Sequence, residues 1–106
     1  MPVRRKRCVL SGKTVRSLGG FYDEVARQLS FPPHFGRNLD ALWDVLVSDV
    51  EGPVELVWNE ADLSRRAMGV DFDRVLKVLL DAEKEREDFR VRIDGPRRPR
   101  DVSGRK

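Results

Sequence analysis

Asp40 and Asp44 stand four residues apart with Trp43 between them, inside the stretch GRNLDALWDVL at 36–46. On a helix, carboxylates at that spacing are neighbours and repel each other by roughly a few tenths of a kcal/mol. Asp40, near a helix start, is favoured by the macrodipole. Asp44, mid-helix, has no such support. An exposed acidic helix face is ordinarily solvated surface, but carboxylates also meet arginine in charge-assisted, often bidentate hydrogen bonds. A tryptophan beside them adds apolar contact with a polar tip, as at protein interfaces. The chemistry suggested is recognition of a cationic partner. His34 with Asp40 could suggest acid–base chemistry. However, His34 is the sole histidine, and no nucleophile–base–orienter set accompanies it. There is no phosphate-cradling glycine loop and no metal-ligand spacing. The chain is therefore not expected to be an enzyme, and no metal or other cofactor is expected.

The elements that must carry these residues follow from periodicity. RCVLS (7–11) is a short β-prone run. GFYDEVARQL (20–29) places Phe21, Val25 and Leu29 on one helix face, with Gly19 and Gly20 as a permissive start and Ser17 as another possible cap. SFPPHFG (30–36) is a loop, with Pro32 and Pro33 restricting the backbone and Gly36 allowing a tight turn. Asn38 is the expected cap of a helix reaching about Ser48. At about 100° per residue, with Leu39 at 0°, Leu42 falls at about 300°, Leu46 at about 340°, Trp43 at about 40°, Asp40 at about 100° and Asp44 at about 140°. Trp43 thus borders the buried stripe, and both aspartates project beyond it. EGP (51–53) breaks the helix, and VELVW (54–58) alternates as a strand. EADLSRRAMG (60–69) is a short helix closed by Gly69. DFDRVLKVLLDAEKERE (71–87) is an amphipathic helix with Asp71 as a plausible cap. DFRVRID (88–94) is a third strand. Strands separated by helical connections favour a parallel sheet. The expected fold is α/β: a small three-stranded parallel sheet packed with about four helices around one core.

The 106 residues suit one domain, and 40% apolar content excludes a disordered chain by composition. A lone cysteine, Cys8, suits a reducing compartment and reads as a small apolar residue of the first strand. No apolar run approaches a membrane span, and the start is too short in apolar residues for a signal peptide. A cytoplasmic protein without membrane contact is expected. The net charge of +3 conceals segregation: residues 1–7 and 96–106 carry +4 each, while residues 8–95 hold 17 Asp and Glu against 12 Lys and Arg. The division expected is a basic flexible N-terminus at 1–7, a folded acidic domain at 8–95 and a basic disordered tail at 96–106. RRKR and RRPR are generic polybasic patches that permit weak non-specific nucleic-acid binding. A nucleic-acid-binding module using these ends is the alternative to a protein-binding domain.

FPPHFGRNLDALWDVL followed by GPVELVW resembles the barstar family of ribonuclease inhibitors, with NLDALWD as the most specific segment. The resemblance spans roughly 8–94. It implies a three-stranded parallel sheet with packed helices and a cytoplasmic inhibitor, monomeric when free. Such an inhibitor plugs, one to one, the active site of a small basic secreted ribonuclease with guanyl preference. By this resemblance Asp40, Trp43 and Asp44 match interface positions, with Asp44 entering the nuclease's phosphate site. His34 matches an aromatic position, usually tyrosine, that stacks near the nuclease's catalytic histidine. Asp81 matches a family glutamate on the late helix that pairs with a basic residue. Gly36 and Asn38 match loop and cap positions, and Phe35 belongs to the same contact loop. Asp49 and the basic ends depart from the family pattern. The implied mechanism is physically coherent. A ribonuclease binds polyanionic RNA in a basic cleft, and carboxylates placed where phosphate oxygens would sit can occupy it.

Overall fold

The computed structural model describes residues 6–95. The tail expected at 96–106 lies outside them, as does the N-terminal segment up to residue 5. Lys6 and Arg7 belong to the first strand. The elements are β1 (Lys6–Ser11), α1 (Leu18–Leu29), α2 (Leu39–Asp44), a π-helical turn (Val45–Asp49), β2 (Val54–Asn59), α3 (Ala61–Met68), α4 (Val70–Glu85) and β3 (Phe89–Ile93). The strands form one sheet in the order β1-β2-β3, with both pairs parallel. The expected α/β architecture, a three-stranded parallel sheet with four helices, is the observed one.

Strand alternation decides where the core sits. Cys8 and Leu10, Val54, Leu56 and Trp58, and Phe89 project to one face and are buried. Phe21, Val25 and Leu29 of α1, Leu42 of α2, and Phe72, Val75 and Leu79 of α4 close over them. Each such side chain contributes about 1.5–3 kcal/mol of burial free energy. Trp58 lies at the centre, stacked on Phe21 with ring centroids 5.4 Å apart and tilted against Phe72 at 5.0 Å. Its indole N–H donates to Ser64 Oγ at 2.9 Å, and that hydroxyl donates to Val15 O at 2.7 Å. The buried polar atoms of this pair are thereby satisfied, as low-dielectric burial demands.

Both edges of the sheet are occupied by helical side chains. Gln28 of α1 accepts from Val9 N at 2.8 Å and donates to Val9 O at 2.9 Å. Glu83 of α4 accepts from Val91 N at 2.8 Å. These contacts engage groups that a bare edge would offer to another chain. The second face of the sheet carries Arg7, Val9, Glu55, Val57, Arg90 and Arg92. Val57 is buried on the central strand, but the three arginines and Val9 are exposed.

Two local expectations are corrected. Asp71 is not a cap: α4 starts at Val70 with Gly69 as the capping position, and Asp71 sits in the first turn, 3.6 Å from Arg74. There it complements the helix dipole, which is the other reason for an aspartate at a helix start. The helix from Asn38 also does not stay α-helical to Ser48. In an α-helix Val50 N–H would donate to Leu46 O. Here Val50 N donates to Val45 O at 3.0 Å, and Leu46 O accepts from Arg86 Nη1 at 2.7 Å.

The same Arg86 nitrogen donates to Val50 O at 2.7 Å, while Nε and Nη2 grip both carboxylate oxygens of Asp88 at 2.8 and 2.9 Å. One guanidinium thus joins the end of the π-helical turn to the segment entering β3. Gly52 is required beside it, because a Cβ there would lie 2.2 Å from Asp88 Oδ2 and 2.7 Å from Arg86 Nη2. Arg86→Ala strands two partly buried carbonyls, so urea denaturation should show a loss of about 2–3 kcal/mol. The hydrogen bonds from Arg86 hold the Asp88 carboxyl below its ordinary range. A depressed folded pKa stabilises fully above the unfolded value of about 3.9 and progressively less as pH falls through the folded one. Wild type should therefore be more stable than Asp88→Asn at neutral pH, and the gap should narrow on acidification below about pH 4. A pH-independent gap in the two unfolding curves would contradict this linkage.

Candidate functional site

The acidic helix is fixed at both ends. At its start, Asn38 has extended backbone angles and its side chain accepts from Ala41 N at 2.8 Å. This satisfies one of the amide donors that a helix N-terminus leaves open. At its far end stands the Arg86 clamp. Between these points Leu42 is buried, and Leu39 and Trp43 are half-buried and packed against the core. Asp40 and Asp44 are exposed. Neither carboxylate has an ion pair or hydrogen bond among the described residues, whereas Asp23, Asp71, Asp81, Asp88 and Asp94 are all ion-paired. The wheel reading of Trp43 as a border residue flanked by two outward aspartates therefore matches the geometry. The π-helical turn begins only after Asp44.

The loop before the helix is shaped by aromatic packing. Phe35 N donates to Pro32 O at 3.0 Å. The Phe35 ring meets Tyr22 edge-on at 5.5 Å and Phe31 at 4.9 Å. Phe35 is thus half-buried as the loop's anchor, and His34 beside it is exposed. Gly36 was expected to supply the permissive backbone of the turn, but the left-handed residue is Arg37, with φ 55°. At Gly36 a Cβ would be only slightly crowded, 3.3 Å from Asn38 Nδ2 and 3.4 Å from Ala41 Cβ. Arg37 escaped the sequence reading. It pairs with Asp23, donates to Gly19 O at 3.4 Å and lies 5.8 Å from the Tyr22 ring centroid. With Leu18, Tyr22, Asn38, Leu39 and Asp40 it borders a hollow of about 580 Å³. The signal available in sequence was slight: a cation placed between a glycine and a helix cap.

Asp81 lies on α4, which packs against both α2 and the π-helical turn. Its carboxylate already accepts from Lys77 Nζ at 3.1 Å, one helical turn away, and together with Leu76, Leu80 and Lys84 it borders a hollow of about 350 Å³. Asp81 therefore differs from Asp40 and Asp44, which are open to any incoming cation. Asp49 is exposed on the π-helical turn. Cys8 is fully buried, and desolvation pushes its thiol up to about 12, with Glu24 adding and Arg27 opposing. So protonated a thiol is inert as a nucleophile. No helix among the described residues is long and apolar enough to cross a membrane.

A family model described as Barstar (barnase inhibitor) matches residues 5–94. The chain belongs to the barstar family. "Putative ribonuclease inhibitor YrdF" of Bacillus subtilis (strain 168) is 32% identical to it over 90 residues, covering 84% of this chain and 99% of that protein. The barstar match extends over the whole described sheet and over the loop and helix on which His34, Phe35, Gly36, Asn38, Asp40, Trp43 and Asp44 are held. Asn38 is the residue on which the placement of Asp40 and Trp43 most directly rests. Asn38→Ala should cost about 1 kcal/mol in denaturant unfolding, with faster amide exchange at Ala41. An unchanged exchange rate there would show that the cap does not hold the helix start.

Proposed function

We propose that this barstar-family chain inhibits a ribonuclease by laying α2 and the 34–38 loop over the enzyme's basic, phosphate-binding cleft. The observation that carries the reading is the pair of unpartnered carboxylates, Asp40 and Asp44, beside half-buried Trp43 on a helix anchored at both ends. Preorganisation matters here, because side chains already held in place lose less entropy on binding. Asp44 takes the place of a phosphate group and meets cationic side chains, and Asp40 supports it one turn earlier. Trp43 excludes water around them, which strengthens the charged hydrogen bonds. His34, exposed beside the Phe35 anchor, stacks on the rim of the cleft. Asp81 exchanges its Lys77 contact for a cation of the nuclease. The partner is a small, basic, secreted, guanyl-preferring ribonuclease bound one to one, and the inhibitor acts in the cytoplasm as a monomer without enzymatic activity of its own. The folded unit takes in Lys6 and Arg7 through β1 and runs on to about residue 95.

Titrating a panel of guanyl-specific ribonucleases with the chain should abolish the activity of at least one at an equivalence point near one to one. Inhibition of none would sink the reading. Against a nuclease so found, Asp44→Ala should lose about 2–5 kcal/mol of binding, because desolvated cations on the enzyme are left unpaired. Its unfolding curve should match that of wild type, since the exposed Asp44 side chain has no ion pair or hydrogen bond among the described residues. A loss of less than tenfold in affinity would move the centre of the interface elsewhere.

A further inference from the structure

Tyr22 is 3% exposed, and its hydroxyl has no hydrogen-bond partner among the described residues. Trp58 shows the usual arrangement, its buried N–H satisfied by Ser64. A buried donor left open costs stability that a phenylalanine at the same place would not. Desolvation, with Asp71 adding and Arg37 opposing, pushes the phenol above its ordinary range. The group therefore keeps its proton and can donate. Tyr22 borders the open hollow of about 580 Å³ that Leu18, Arg37, Asn38, Leu39 and Asp40 complete. The walls of this hollow offer further donors. Arg37 directs Nη1 to Asp23 and Nη2 to Gly19 O at a slack 3.4 Å, and its Nε has no partner among the described residues. Asn38 Nδ2 reaches only Gly36 O, also at 3.4 Å. Asp40 brings the opposite need, a carboxylate without a donor among the described residues.

We infer that this hollow receives a loop of the bound nuclease and holds it by a neutral amide, a backbone peptide group or an Asn or Gln side chain. The chemistry of the walls selects the amide. Its carbonyl oxygen accepts from Tyr22 and Arg37, and its N–H donates to Asp40. A carboxylate would suit the donors but would be repelled by Asp40. A lysine or arginine would suit Asp40 but would face Arg37 and leave the phenol open. A wholly apolar side chain would leave every one of these groups unpaired, which is costly once water is excluded. Leu18 and Leu39 provide apolar contact for the carbons on either side of the amide. Arg37 lies over the Tyr22 ring, 5.8 Å from its centroid, and is itself exposed. Surface ion pairs such as Arg37–Asp23 contribute little, so the guanidinium can swing aside and uncover the hydroxyl. The inference rests on the inhibitory reading. Asp40 belongs both to the hollow and to the acidic helix face, and it is Asp40 that brings the hollow within the same contact.

The test is Tyr22→Phe in the full chain, measured against a ribonuclease that the panel titration shows to be inhibited. The variant should melt no lower than wild type, because the hydroxyl it lacks has no partner in the free protein. Its complex should dissociate about fivefold faster, the ordinary contribution of one hydrogen bond. Tyr22 is the only tyrosine of the chain, so a carbon-13 label at Cζ gives a single NMR signal, which should shift when the complex forms. Tyr22→Phe and Asp40→Asn should be non-additive in affinity, because both side chains hold the same amide. Strict additivity would overturn the amide. If Asp44→Ala loses affinity while Tyr22→Phe dissociates as wild type does, the nuclease stays out of the hollow. The inference then fails and the inhibitory reading stands. A lowered melting temperature for Tyr22→Phe would show that the hydroxyl serves the fold, and the inference fails on that result too. If wild type inhibits no nuclease of the panel, both fall together.

Discussion

Arg86 spends its guanidinium on four oxygen atoms at once, and the placement of the acidic helix follows from that. Two of them, Leu46 O and Val50 O, belong to the π-helical turn, and two belong to the Asp88 carboxylate beside β3. Because Arg86 takes Leu46 O, Val50 N–H turns to Val45 O, and the last turn widens. The extra residue in that turn lets Val45, Leu46 and Val50 all reach the core, which a regular helix would not allow so readily. Gly52 keeps the space for the clamp open. A helix that would otherwise fray toward the Gly-Pro break is thereby fastened to the sheet.

The electrostatic consequence lies at the other face of the same helix. Asp40 and Asp44 repel each other and gain no compensating cation among the described residues. Five other aspartates do obtain one. An isolated helix with such a pair would be slightly disfavoured, and here the loss is offset by burial of Leu42, by the Asn38 cap and by the Arg86 clamp. Local conflict of this sort, tolerated because the surrounding structure overdetermines the conformation, is expected where a surface is shaped for a partner rather than for stability.

Residues whose role depends on period or on local hydrogen bonding could be read from the sequence. The border position of Trp43, the outward aspartates, the Asn38 cap, the Ser17 cap (its side chain accepts from Gly20 N at 3.0 Å) and the order of strands and helices all belong to this class. What could not be read depends on contacts distant along the chain. Arg86 lies 40 residues from Leu46, and nothing near either position announces a π-helical turn. Arg37 is left-handed, and its side chain is held by Asp23 and Tyr22 on α1, contacts that its neighbours in sequence do not announce. Asp71 suited a cap by residue type, yet Gly69 closes α3 and opens α4 in one step, so no room remained for a separate capping residue.

The same distinction explains why the two charged surfaces differ in legibility. The acidic one lies on a single helix, where four-residue spacing suffices to show that the carboxylates are neighbours. The basic one is assembled from β1 and β3, which flank β2 in space but lie at opposite ends of the chain. Arg7 and Arg90 share a row only because each pairs in register with Glu55, and that register is set by burial of Cys8, Leu56 and Phe89 on the reverse face. A one-residue slip of β3 would turn Arg90 and Arg92 into the core and Phe89 into water. The hydrophobic pattern that closes the core therefore also determines which cations stand together outside it. The helices that complete the core keep those cations apart from Asp40 and Asp44, and so preserve two surfaces of opposite sign on one small domain.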